Sequence, residues 1–179
     1  MPDKKVNVRI LVLSTIACLS VRFFPFHIPN VEPLLPLYMP LEKRFGFFTG
    51  SLFVTLTIVP FDIITGHVGL WTLVNVITYS LLSSVFVLLN SSLRKKSFIR
   101  KAIIGTLFFD IITGILVGPF LFQQPFYTAF FGQIPFTIIH LISNIFLGFT
   151  LSPLIDHWIV KQVCNQTRGD FFLLGKKVL

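Results

Sequence analysis

The chain has 179 residues, 54% hydrophobic and only 12% charged, with 22 phenylalanines, a mean hydropathy of +0.83 and a formal charge of +8. A soluble globular domain carries about 25% charged residues, so this composition excludes that class and indicates one polytopic membrane domain. The charge excludes a nucleic-acid binder as well, because it is segregated: Lys4, Lys5 and Arg9, then Lys43 and Arg44, then Arg94, Lys95, Lys96, Arg100 and Lys101, then Lys161, Arg168, Lys176 and Lys177 account for every basic residue except Arg22. Basic clusters at chain ends and in short loops mark the cytoplasmic side of a membrane.

In chain order, the first apolar stretch, residues 6–24, lacks a small-residue cleavage site before Pro25 and reads as a retained span rather than a signal peptide. A proline-rich segment leads to a second candidate, residues 31–41, interrupted by Pro33, Pro36 and Pro40. It is shorter than the ~20 residues a span needs. Charge parity nevertheless requires it, because only a returning second helix puts the N-terminus, the Lys43 loop and the Arg94 loop on one side. A short proline-broken helix is tolerated where neighbours bury it. Further spans follow at 45–65, 70–89 and 102–116. After an outer loop, 117–127, comes a last span at 128–155, expected to break or tilt near Pro135, and then a basic tail, 156–179, suited to the membrane surface. The expectation is an all-α, six-helix transmembrane bundle over residues 1–155, in a plasma membrane, with both termini cytoplasmic. Trp71 and Trp158 fall at opposite span ends, as interfacial tryptophans do.

The hexapeptide Phe-Asp-Ile-Ile-Thr-Gly occurs at 61–66 and again at 109–114. This reads as the trace of a duplicated helical hairpin, each copy with one acid and a closing glycine of the kind that follows a helix C-terminus. A carboxylate in hydrocarbon is costly and usually faces a bundle interior or a water-filled site. The topology puts Asp62 and Asp110 at similar depth in the outer half, with Asn30 and Glu32 on the first outer loop beside His27, and His67 on the next. Asn75 and Tyr79 share one helix face, as do His140 and Asn144. These groups converge on an outward pocket. The bland readings are helix capping or interhelical hydrogen bonding for the acids and amides and ordinary interfacial placement for His27 and His67. Three outer acids against the single outer Arg22 favour a cationic or amine-bearing ligand.

No catalytic signature is present: no Walker A sequence, no G-x-S-x-G, and neither the Tyr-Asp nor the Gly-x-Gly-Asp setting of intramembrane aspartyl proteases. With no paired-Cys or H-E-x-x-H spacing, no metal site is expected, and Cys18 and Cys164 read as neither a disulfide nor a ligand pair. The chain therefore reads as neither an enzyme nor a cofactor carrier.

The stretch Pro29-Asn-Val-Glu-Pro-Leu-Leu35, the block Ile134-Pro-Phe-Thr-Ile-Ile-His-Leu-Ile-Ser-Asn-Ile-Phe-Leu-Gly148 with Ser152-Pro153 behind it, and Asp62 before Gly66 resemble the substrate-binding subunits (S components) of energy-coupling factor transporters. The resemblance runs over most of residues 6–155. It implies a six-helix bundle that captures a vitamin or other micronutrient from outside, with no catalytic role of its own. It also implies partners, namely a transmembrane coupling subunit and two cytoplasmic ATPases. That family docks through small residues on the first helix, typically Ala-x-x-x-Ala; the matching positions here are Ser14 and Cys18, with Ala17 alongside. The alternative from another class is a membrane scaffold resembling the rod-shape-determining protein of cell-wall synthesis, which has no reason to gather polar side chains in its outer half.

Overall fold

The computed structural model describes residues 8–24, 33–89 and 95–176. Among them there is no strand. The elements are α1 (Val8–Arg22), α2 (Leu34–Phe45), α3 (Phe47–Thr65), α4 (Leu70–Leu88), α5 (Lys95–Asp110), a π-helical segment (Ile111–Val117), α6 (Gly118–Phe122) and α7 (Phe126–Lys176). The stretch α5–π–α6 is one continuous rod. Among the described residues four helices are long and apolar enough to cross a membrane: α3, α4, the rod over Ser97–Phe122, and α7 over Phe126–Val163. The expected count of six spans is not reached on length. α1 has 15 described residues and α2 has 12, about 22 and 18 Å of helix against a hydrocarbon core of about 30 Å.

α2 is short because it is the centre of the bundle rather than a wall. Every residue from Leu34 to Glu42 is buried, and it packs against α3, α5 and α7. Its Pro40 has no N–H to give the carbonyl of Pro36 four residues back. Ser152 of α7 supplies the missing donor, its Oγ lying 2.8 Å from the Pro36 oxygen. The helix then closes at Gly46, whose φ of 87° and ψ of −176° fall in a region essentially reserved for glycine, and α3 starts at the next residue. Close approach elsewhere depends on missing side chains: a Cβ on Gly50 would lie 2.8 Å from the Tyr38 ring, and one on Gly105 2.9 Å from that of Phe86.

Three expected boundaries move. Residues 118–122 of the expected outer loop are helical, with Pro119 in the first turn of α6, so the connection shrinks to 123–125. α7 runs unbroken through Pro135 and Pro153, so the expected break near Pro135 is not there. Residues 156–176 of the expected tail continue α7 as helix. Apolar surroundings with no water to satisfy backbone groups penalise unwinding more than the loss of one hydrogen bond per proline.

The basic end of the bundle is locked by ion pairs. Lys101 Nζ lies 2.8 Å from Glu42 Oε2 with both side chains fully buried. Asp156 of α7 accepts from Lys43 at 3.2 Å and from Arg44 through both its Nε and its Nη2, the latter at 2.8 Å. These hydrogen bonds hold the Arg44 guanidinium above its ordinary pKa. Together the pairs tie α2 to α5 and α7.

A candidate ligand cavity opposite the basic end

A cavity of about 390 Å³ opens at the other end of the bundle. α4 contributes Trp71, Asn75 and Tyr79; α5 and the π segment contribute Phe109, Thr113 and Gly114; α7 contributes Gln133, Phe136 and His140; Arg22 closes it from α1. The walls are aromatic. Tyr79 and Phe109 rings lie 4.8 Å apart, and Phe109 and Phe136 both meet His140 edge-on, at 6.1 and 5.6 Å. Trp71 stacks on Phe122 at 4.9 Å. The Tyr38 hydroxyl donates to the Tyr79 carbonyl at 3.1 Å, fixing α4 against the buried α2. Asn75 presents a side-chain amide with no hydrogen-bond partner among the described residues.

The two hexapeptide copies do different jobs. In the first, Gly66 adopts φ 71° and ends α3: its N–H bonds the Ile63 carbonyl while His67 N–H bonds the Asp62 carbonyl at 2.9 Å, a Schellman closure. The Asp62 carboxylate accepts from the Thr72 hydroxyl, which itself accepts from Gly69 N–H at 3.2 Å. Asp62 therefore staples the α3–α4 hairpin and is not in the cavity wall. In the second copy the chain does not stop. The π segment begins directly after Asp110, and a π turn shifts which side chains share a face. Gly114 is then mid-helix rather than a terminator, contrary to the motif's reading. It is pressed by Gln133, whose Oε1 occupies the space a Cβ would need.

Asp110 itself is 1% exposed and turned toward α7, where its Oδ1 lies 2.8 Å from His140 Nδ1. One turn away along both helices, Asn144 Nδ2 donates to Thr106 Oγ1 at 2.9 Å. Thr106 and Asp110 on α5, and His140 and Asn144 on α7, thus form a two-rung polar ladder. Only His140 reaches from the ladder to the cavity. On the ladder's far side, Asp110, Gln133 and Thr137 border a second crevice of about 210 Å³ with almost wholly apolar walls.

Of the eight residues expected to bind a ligand, the structure gathers Asn75, Tyr79 and His140 at the cavity. It places Asp110 directly behind His140, Asn144 one turn deeper, and Asp62 at the hairpin end. Asn30 and Glu32, with His27, lie outside the described residues. His67 is exposed just beyond α3. Of the expected docking residues, Ser14 and Cys18 are buried against the bundle and Ala17 faces outward. A partner reaching α1 would meet the stripe of Val12, Leu13, Ile16 and Ala17. Sequence reasoning missed Thr106, Thr113, Gln133 and the cavity roles of Arg22 and Trp71. Gln133 was legible, since 133, 136, 137, 140 and 144 share one face of a 3.6-residue helix. No cluster of metal-ligating side chains occurs among the described residues. No protein-family model, curated protein or solved structure matches the chain.

Proposed function

We propose that the chain is the substrate-capturing membrane subunit of an energy-coupling factor type importer, taking up a vitamin or other micronutrient from the extracellular side of the plasma membrane. The observation that carries this reading is the cavity, which combines apolar walls with a few placed polar groups in the manner of small-molecule sites. It also opens away from the basic end of the bundle. By the positive-inside rule that basic end is cytoplasmic, so the cavity opens outward. Its volume lies within the ~300–1,000 Å³ typical of such sites.

The chain has no nucleotide-binding motif, which accords with hydrolysis residing in partner ATPases reached through a membrane coupling subunit. The exposed apolar stripe of α1 around Ala17 is the surface offered for that contact. The test is mass spectrometry of small molecules co-purifying with the detergent-solubilised protein. Wild type should retain a discrete compound that the Asn75→Leu and His140→Phe variants lose. A folded wild-type protein that retains none, together with recovery of cell-wall synthesis proteins instead of ATPases, would leave the scaffold reading in its place.

A further inference from the structure

We propose that the basic end of the bundle carries a second binding site, a cleft between α2, α5 and α7 that holds an anionic phospholipid of the cytoplasmic leaflet by its phosphodiester headgroup and acyl chains. The proposal is independent of the capture reading above.

The cleft has a volume of about 780 Å³. Arg44 at the end of α2, Phe98 near the start of α5, and Phe149, Leu154 and His157 on α7 line it. Leu154 is 67% exposed and Phe149 51%, so the apolar wall is open to hydrocarbon. Thr150, Leu154, His157 and Lys161 follow one another at spacings of four, three and four residues, one face of a helix. From Leu154 to Lys161 that face covers about 10 Å of axis, enough to pass from hydrocarbon into the headgroup layer. Trp158 stands at the same level, at the depth that interfacial tryptophans take. The cleft is therefore apolar where acyl chains lie and basic where headgroups lie.

Cations are in excess at the basic rim. Asp156 accepts from Lys43 and from Nε and Nη2 of Arg44. The third guanidinium nitrogen, Nη1, has no hydrogen-bond partner among the described residues and is not sealed from the surface. Guanidinium stays charged in such a setting, and with Asp156 on one edge its other edge is left for a phosphate oxygen. Lys43, seated over the Phe98 ring at 4.3 Å, and Lys161, exposed one turn beyond His157, bring two more formal charges. Three positive charges thus stand around one carboxylate, and Asp156 is the only carboxylate among the described lining residues. Basic pockets between helices on the cytoplasmic side are where anionic headgroups bind. A zwitterionic lipid would cover the wall but bring no net charge to the cations. An acidic protein segment would meet the cations but leave the wall of Phe149 and Leu154 unused.

The test is native mass spectrometry of the full chain in nonionic detergent, with phosphatidylglycerol and phosphatidylcholine of identical acyl chains as probes. Phosphatidylglycerol should form a one-to-one adduct at a concentration about ten-fold lower than phosphatidylcholine does. Lys161→Gln removes one exposed cation from the rim and should weaken that adduct about five-fold. Arg9→Gln removes the same charge from an exposed position of α1 at the same end and should leave it unchanged. Leu154→Gln, in the apolar wall, should weaken both lipids. Equal adducts with the two lipids, or a loss in Lys161→Gln no larger than in Arg9→Gln, would mean a diffuse basic surface and overturn the site. Glycerol 3-phosphate, the headgroup chemistry without chains, should not compete at millimolar concentration; competition by it would make this a soluble-phosphate site and overturn the lipid assignment. Displacement of the lipid by a polyglutamate peptide would overturn it too, in favour of an acidic protein segment.

Discussion

Identical residues acquire different roles when their partners differ. Asp62 and Asp110 sit in the same six-residue context, yet one closes a hairpin through Thr72 and the other sits 2.8 Å from a histidine 30 positions away. The difference can be measured. Asp62 is half-buried and loses one hydrogen bond on truncation, so Asp62→Ala should destabilise the protein by about 1 kcal/mol and leave ligand retention intact. Asp110→Ala should cost about 1–3 kcal/mol, because His140 Nδ1 loses its partner inside the bundle, and should also weaken retention. Thermal denaturation in detergent, read beside mass spectrometry of retained ligand, checks both. Equal loss of retention in the two variants would contradict the separation of roles.

At the scale of elements, proline placement and its compensation decide what a helix can be. α2 carries Pro40 in its interior and survives because Ser152 of α7 donates to the carbonyl that Pro40 cannot reach. Ser152→Ala would leave that buried carbonyl without its donor, at about 1–3 kcal/mol. Thr150→Ala, two residues earlier, should be near neutral, since Thr150 bonds only the Phe146 carbonyl within its own helix. Equal melting temperatures for the two variants would remove the compensation argument. The π segment is a second device of this scale. It carries the rod past Gly114, where the motif predicts a stop, so that Thr113 and Gly114 line the cavity while Asp110, directly before the segment, addresses α7.

At the scale of the whole molecule, the two ends are chemically opposite. The basic end is cross-linked by buried ion pairs, and the other end is an aromatic cavity. Breaking a buried pair leaves an uncompensated charge, so Lys101→Met should destabilise by about 3–5 kcal/mol. The double variant Lys101→Met with Glu42→Leu should recover most of that loss, because two apolar groups replace two charges. Additive losses in the double variant would show that the pair is not coupled. Orientation has its own test. In a background with Cys18 and Cys164 replaced, a membrane-impermeant thiol reagent applied to intact cells should label Phe122→Cys and spare Lys96→Cys. Labelling of Lys96→Cys would invert the molecule and turn the cavity to the cytoplasm.

The sequence by itself determined what depends on composition and local period. It showed a membrane protein, all helical, with charge gathered at one end, and it put Asn75 with Tyr79 and His140 with Asn144 on common faces. Those properties follow from hydropathy and from 3.6 residues per turn, and neither needs knowledge of a partner. Only the tertiary structure decided which acid meets which donor, that α2 is a buried core element, that the rod continues past Gly114, and that Arg22, Trp71 and Gln133 complete the cavity. Each of these turns on contacts between helices far apart along the chain, such as Ser152 with Pro36, 116 residues away. In a bundle where nearly every surface is apolar, hydrophobicity does not specify which faces meet. Small residues, proline gaps and a few buried polar pairs select among the packings, and their effect exists only once the helices are together.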